Sequence, residues 1–221
     1  MVDVNRIVVC VDVGSVRRKR FAWASDTDLE GAGPDGLEAQ LRSWQAAGAQ
    51  VALGFECPGW VPVPMASIDL GSRRSGEGRY PWSAGAGSGA LATGIAQIAW
   101  ILRSLSESPG GSGTGSGIAP LTVTTSRRRW EAAVDGEWLL WEAFLAGERK
   151  PAPDQVNPHV ADAKAGLEAF REDQRINNGE ADEDAVNLLA LLAHWAGLTV
   201  PAQEWHDSLP IYGPALAGTG P

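Results

Sequence analysis

The sequence predicts a mixed α/β protein, with a mixed parallel and antiparallel sheet flanked by helices. Two runs, RIVVCVDV over 6–13 and QVALGF over 50–55, are almost continuously apolar and rich in valine. Such runs are typical of strands that are buried on both faces. Apolar residues at helical spacing lie between them, and after an opening pair of strands the helices and strands alternate. This alternation predicts helices on both faces of the sheet.

The remaining elements follow from local signals. FAWAS over 21–25 predicts a second strand, joined to the first by a link short enough for a hairpin. Leu37, Leu41 and Trp44 share one face of a predicted helix over 34–47. The later elements are a helix over 90–105, a strand over 121–125, a helix capped by Ser126 that extends to Gly147, and helices over 159–170 and 181–196.

The 221 residues predict one domain over 1–200. Within it, the segment 57–89 shows no clear periodicity and is dense in Gly, Pro and Ser. Insertions of this length inside a compact domain are usually functional or disordered. The Pro- and Gly-rich segment 201–221 is expected to be a loosely ordered C-terminal tail.

Composition limits the possible partners. The net charge of −9 disfavours a broad nucleic-acid-binding face, although a local basic groove remains open. Two cysteines cannot form a disulfide framework, so we expect reduced thiols and a cytoplasmic protein, and the absence of a long apolar run predicts no membrane-spanning segment. The basic residues form three clusters: Arg17, Arg18, Lys19 and Arg20; Arg73, Arg74 and Arg79; and Arg127, Arg128 and Arg129.

Carboxylates follow two of the predicted strands. Asp12 lies near the end of the first strand, and Glu56 comes directly after 50–55. Ligands collect at the carboxyl ends of neighbouring parallel strands, and paired carboxylates there favour an intervening cation such as Mg²⁺ or Mn²⁺. Asp182 and Asp184, in the first turn of the last predicted helix, offer a further ligand.

Structural roles explain the same residues. Asp12 can cap a turn at Gly14, Glu56 can pair with an arginine, and Asp184 suits the positive end of a helix dipole. These alternatives stay open at the level of sequence.

Three segments together resemble the ribonuclease H-like superfamily of metal-dependent nucleases, which includes the Holliday-junction resolvases. VVCVDVGS is similar to the family's first strand, ALGFECP to its fourth strand, and DEDAVNLLALLAHW to its last helix. The resemblance implies a ribonuclease H-like sheet and a catalytic, metal-binding set of Asp12, Glu56 and Asp184, with Asp182 as a further ligand. Asn187 departs from the pattern, because many resolvase-like members have a second aspartate there.

The resemblance implies hydrolysis of phosphodiester bonds in a nucleic acid with Mg²⁺ or Mn²⁺. Arg73, Arg74 and Arg79 in the 57–89 segment, with Ser15, would bind the substrate. His159 and Lys164 are candidate helpers outside the metal ligands.

Three other functions remain open. A binding module that has lost its chemistry fits Asn187 and the acidic charge, and a small-molecule phosphohydrolase fits the acidic surface. The sequence Asp12-Val13-Gly14-Ser15 also fits the actin-like ATPases, although those proteins use two such domains and this sequence is short for them.

Overall fold

The computed structural model describes residues 6–107, 121–133, 136–152, 156–179 and 184–215. The strands are β1 (Arg6–Asp12), β2 (Ala22–Ser25), β3 (Glu30–Ala32), β4 (Gln50–Phe55), β5 (Trp60–Pro62), β6 (Val123–Thr124), β7 (Trp138–Ala143), β8 (Arg175–Asn177), β9 (Ala185–Asn187) and β10 (Ile211–Tyr212). The α-helices are α1 (Pro34–Ala46), α2 (Gly85–Ser106), α3 (Arg127–Ala132), α4 (Pro158–Arg171) and α5 (Leu188–Trp195).

The central sheet has the order β3-β2-β1-β4-β7-β10-β8, and β6 also pairs with β7. Strands β1, β4, β7 and β10 run parallel, whereas β2, β3 and β8 are antiparallel to their neighbours. Val11 lies beside Phe55, and Phe55 lies beside Glu142. The carboxyl ends of the three inner strands β1, β4 and β7 therefore meet at one edge, as expected for a mixed sheet.

Helices cover both faces of the sheet. One buried cluster joins the sheet to α1, α2 and α5 through residues such as Leu37, Ile98 and Leu189. The other joins it to α3 and α4 through Trp130, Phe170 and their neighbours. The predicted mixed α/β architecture is thus confirmed.

Gly54 of β4 leaves room for the Trp141 side chain, which belongs to the buried cluster beside α3 and α4. A Cβ atom at Gly54 would lie 2.1 Å from an atom of the Trp141 indole on the neighbouring strand β7. We therefore expect Gly54→Ala to destabilise the protein by about 1–3 kcal/mol, the usual cost of overpacking. Gly36→Ala on α1 is the matched control, because nothing lies within 4 Å of its added Cβ and alanine favours a helix. Urea titrations would measure both, and an unchanged Gly54→Ala protein would contradict the packing.

The prediction of one long helix after Ser126 is wrong for the residues beyond its first two turns. Helix α3 ends at Ala132, and Trp138 begins strand β7. All six residues of β7 are buried between β4 and β10. A strand buried on both faces has no alternation of apolar and polar residues, so Trp138 and Trp141 fitted a helical spacing equally well.

The last helix is also shorter than predicted. Helix α5 begins at Leu188, and residues 185–187 form strand β9, which pairs with β5. The buried Asn187 side chain caps α5 by accepting a hydrogen bond from the Ala190 N–H, and its amide donates to Thr125 and Glu204. Asn187 is therefore a structural cap, and Asp184 precedes a strand instead of lying in a first helical turn.

The predicted loose tail contains part of the core. Residues 202–206 form a 3₁₀ helix, and Ile211 and Tyr212 of β10 are 0% and 1% exposed in the central sheet. The domain therefore extends past residue 200, because the sheet needs β10 to pair with both β7 and β8. Residues 216–221 lie outside the described part of the chain.

Helix α2 is long and apolar enough to cross a membrane by length and composition. Such a helix is weak evidence of a membrane span, because core helices have the same composition. Its residues Ile98, Ile101, Leu102 and Leu105 are buried in the core of the domain.

Candidate metal centre

Asp12 is a buried acid at the carboxyl end of β1. The residue is 6% exposed, and its Oδ2 lies 2.6 Å from His159 Nδ1 on α4. Burying a carboxylate without a partner is costly, so this contact accounts for an acid at the end of an apolar strand. The position agrees with the expectation for Asp12.

Glu56 follows β4 and lies next to Asp12. Its backbone N–H donates to the Val11 carbonyl at 2.8 Å, which extends the pairing of β4 with β1 by one residue. Its Oε1 lies 3.4 Å from Lys150 Nζ. Its Oε2 is buried and has no hydrogen-bond partner among the described residues. The second predicted acid therefore also reaches this edge, and it holds one unused ligand atom.

Helix α4 supplies two further donors. Asn157 caps the helix by accepting from the Val160 N–H, and Pro158 occupies its first turn. One turn apart, His159 and Asp162 then face the end of β1. The Asp162 Oδ2 lies 2.5 Å from Lys150 Nζ.

Together these donors form a group that can hold a metal ion. One ligand atom from each of Asp12, His159 and Asp162 lies within 4.8 Å of the others, and both aspartates are buried. Carboxylates suit Mg²⁺ and Mn²⁺, whereas imidazole is a better ligand for transition metals. The mixed donor set thus favours Mn²⁺ over Mg²⁺, and Glu56 is the adjacent carboxylate.

Burial raises the pKa of both Asp12 and Glu56. Burial, and then the charge of Asp12, hold the pKa of Glu56 well above its ordinary value, while Lys150 lowers it. Burial also raises the pKa of Asp12, against the hydrogen bond from His159. Burial therefore disfavours the charged carboxylates of this cluster, and a bound cation would favour them.

The raised pKa of Glu56 predicts a pH-dependent cost to stability. A carboxyl group whose pKa rises on folding contributes stability below its unfolded value, and that stability is lost as the pH rises through the folded value. In a chelating buffer we expect Glu56→Gln to be more stable than the wild type by at least about 1 kcal/mol at pH 8. The difference should shrink towards the ordinary glutamate pKa of 4.5.

Urea titrations from pH 4.5 to pH 8 measure this difference. Glu107→Gln is the control, because that carboxylate is an exposed partner of Arg103 and its removal should give a small offset that changes little with pH. A Glu56→Gln protein that is less stable than the wild type at pH 8 would contradict the electrostatic account.

A cleft of about 690 Å³ opens above the carboxylates. Its lining includes Asp12, Glu56, His159 and Lys150. Ser15 is exposed and lines the cleft, as its predicted role requires. The size lies within the range of about 300–1,000 Å³ that is usual for small-ligand sites.

The predicted arginine ligands lie elsewhere. Arg73 and Arg79 are exposed but do not line this cleft within the described chain. Lys164 pairs with Glu30 on the surface. These three residues show no contact with the acidic site in the part of the chain described.

Arg74 is a structural residue and not a substrate ligand. It is 2% exposed, and its guanidinium contacts both Glu142 oxygens, at 2.8 and 2.6 Å, together with Glu77 and the Trp60 carbonyl. The Glu142 side chain also accepts from the Gly59 N–H. With its donors committed, Arg74 fastens the segment after β4 to β7, and the prediction that it binds phosphate is wrong.

Asp184 is exposed, and its backbone carbonyl accepts from the Val63 N–H at 2.7 Å. Among the described residues, Asp184 belongs neither to the group of Asp12, His159 and Asp162 nor to the lining of the cleft. Asp182 lies outside the described residues. Metal ligation by these two aspartates stays a prediction.

Sequence reasoning missed Asp162 and Lys150. A signal existed for Asp162, because the spacing His159-x-x-Asp162 puts both side chains on one face of α4. Lys150 follows the 3₁₀ helix Gly147–Arg149, and no local pattern marks it.

Comparison with protein-family models, with curated proteins and with solved structures found no match to this chain. The fold and the site by themselves define a mixed α/β protein with a buried Asp–His–Asp group, placed at the carboxyl ends of parallel strands, that can hold a metal ion.

Proposed function

We propose that this protein is a metal-dependent phosphodiesterase, a nuclease of the ribonuclease H-like type. The observation that carries the proposal is the meeting of Asp12, His159 and Asp162 beside Glu56 at the ends of β1 and β4. The resemblance of the sequence points the same way, since it assigns Asp12 and Glu56 to neighbouring strands. Acidic clusters are common on surfaces, but this one is buried and retains an unpartnered carboxylate oxygen among the described residues.

The donors fit a divalent ion. Asp12, Asp162 and His159 would hold it, and Glu56 would complete the set through its free oxygen. When bound, such an ion supplies an activated water and stabilises charge at a phosphoryl centre.

The protein's own residues have separate roles. Burial and the charge of Asp12 raise the pKa of Glu56, and a cation bound beside it would favour its charged form. Lys150 Nζ now neutralises Glu56 and Asp162. Because Lys150 lines the cleft, it would donate to a phosphate oxygen of a bound substrate.

Two measurements on the full chain test the proposal. Calorimetry should show binding of Mn²⁺, with weaker binding of Mg²⁺, and Asp162→Asn should reduce both. Incubation with Mn²⁺ should cleave at least one of single-stranded, duplex, hybrid and branched nucleic acids. If the protein takes up no metal and hydrolyses none of these substrates, the proposal is contradicted.

A second candidate is a phosphohydrolase of small phosphoesters. The volume of the cleft, about 690 Å³, favours it, because that space suits a small ligand. Hydrolysis of nucleoside monophosphates with no cleavage of oligonucleotides would select this function over the first.

A further inference from the structure

The walls of the cleft above the carboxylates carry information about its substrate. Its lining includes basic residues, here called the basic wall, and aromatic residues, here called the aromatic wall. We propose that the cleft takes a short single-stranded stretch of nucleic acid, with a base stacked on the aromatic wall and the backbone held by the basic wall. This inference rests on the proposed function, because it names the substrate class of the same site.

The basic wall is the link between β1 and β2. Arg18 and Arg20 are exposed, line the cleft, and have no ion pair with any described residue. The link is held in place, since a Cβ at Gly14 would lie 2.1 Å from the Arg20 carbonyl oxygen. Gln97 of α2 donates to the Gly14 carbonyl at 2.6 Å. Two unpaired guanidiniums on a fixed turn are suited to phosphate oxygens.

The aromatic wall consists of Tyr80 and Trp82. The Trp82 indole N–H donates to the Ser72 carbonyl at 2.9 Å, and the Trp82 backbone N–H donates to Glu77 at 3.1 Å. Tyr80 lies so close to Gly147 that a Cβ there would be 2.7 Å from its hydroxyl. The Trp82 ring is therefore held by a hydrogen bond before any ligand arrives, and Tyr80 packs close to Gly147.

The buried Arg74 connects the aromatic wall to the central sheet through Glu77 and Glu142. Glu77 holds the Trp82 backbone, and Arg74 binds both Glu77 and Glu142 of β7. The aromatic wall is thus connected to the same sheet whose edge bears Asp12 and Glu56. Distances between the wall and the carboxylates are consequently maintained by buried ion pairs.

Single strands match this pair of walls better than duplexes do. Basic grooves with aromatic side chains are the usual means of holding single-stranded nucleic acid, because its bases have free faces for stacking. A duplex keeps its bases stacked on one another and would have to flip one out. The net charge of −9 also disfavours the long run of phosphate contacts that a duplex site needs.

Fluorescence anisotropy tests the inference with a labelled seven-nucleotide single strand and a duplex of the same sequence. Asp12→Asn protein in Mg²⁺ serves as the background, so that cleavage does not interfere. We expect the single strand to bind at least about tenfold more tightly than the duplex, and Trp82→Ala to weaken that binding on the order of tenfold. Trp82→Phe should restore it.

Matched controls separate the walls from the general surface. Trp100→Ala changes a half-exposed tryptophan of α2 outside the cleft lining and should leave affinity unchanged. Arg20→Met should lower the slope of log affinity against log salt by about 0.7, whereas Arg103→Met should not. If Trp82→Ala lowers the melting temperature, Tyr80→Ala provides the same stacking test.

The outcomes are distinct. Equal or tighter duplex binding, or no effect of either aromatic substitution, overturns the single-strand inference and leaves the nuclease proposal intact. A mononucleotide that binds as tightly as the oligonucleotide also overturns it. Tight single-strand binding without cleavage by the wild type supports the binding assignment and contradicts the nuclease.

Discussion

Asp12→Asn is expected to abolish metal-dependent hydrolysis, lowering its rate by at least about 100-fold. Substitution of a residue that only hydrogen-bonds to a metal ligand lowers metal affinity or activity by about 10–100-fold. Asp12 belongs to the ligand group itself, so we expect a larger loss. The substitution keeps the shape of the side chain but removes the charge that faces His159. Initial rates with Mn²⁺ and the best substrate measure the effect.

Two further variants test whether Asp162 or Asp184 is the third carboxylate that binds the metal. The structure puts Asp162 beside Asp12, whereas the resemblance of the sequence puts Asp184 there. We expect Asp162→Asn to lose activity and Mn²⁺ affinity together, and Asp184→Asn, on an exposed residue before β9, to retain both. The reverse result would restore the sequence-based ligand set and contradict the site described above.

Arg74→Met is expected to cause the largest loss of stability, about 3–5 kcal/mol. Removing one partner of a buried ion pair leaves the other charge without compensation. Here Glu142 and Glu77 would both lose their cation, and burial already raises the pKa of Glu142 against the opposing effect of Arg74. Chemical denaturation would measure the change in the free energy of unfolding.

Its neighbour provides the control. Arg73→Met changes an exposed side chain that donates to the Gly78 carbonyl, so we expect a change within about 0.5 kcal/mol. The double variant Arg74→Met with Glu142→Gln should recover part of the loss, because it removes the stranded charge. Equal stability of the Arg74→Met and Arg73→Met proteins would show that the buried network contributes little.

The sequence predicted those parts of the site that follow from strand ends. Asp12 and Glu56 end apolar runs, and parallel pairing of β1 with β4 brings them together as expected. It failed to predict that Asp184 precedes a strand and that Arg74 is buried, for different reasons. The boundary of α5 depends on the pairing of β9 with β5, and the burial of Arg74 depends on Glu142, which lies 68 positions away in the chain.

The helices and strands also divide into those that the sequence predicted and those that it did not. Helices α1 and α4 were predicted to within about a residue at each end, because each has one apolar face and a clear cap or stop. The segment that forms β7 was predicted as helix, and the segment that forms β10 as loose tail. Both are short and buried on both sides, so their conformation is set by neighbouring strands and leaves no periodic signal.

The sequence alone therefore determined the mixed α/β class, the inner strands β1 and β4, and the placement of two acids at one edge. Local apolar patterns are sufficient for these features, since hydrophobic burial acts residue by residue. Tertiary structure decided the rest of the metal centre. It brought His159 and Asp162 from α4 and Lys150 from a loop to Asp12, and it turned Arg74 inward, because charges far apart in the chain find partners only after the sheet and helices have packed.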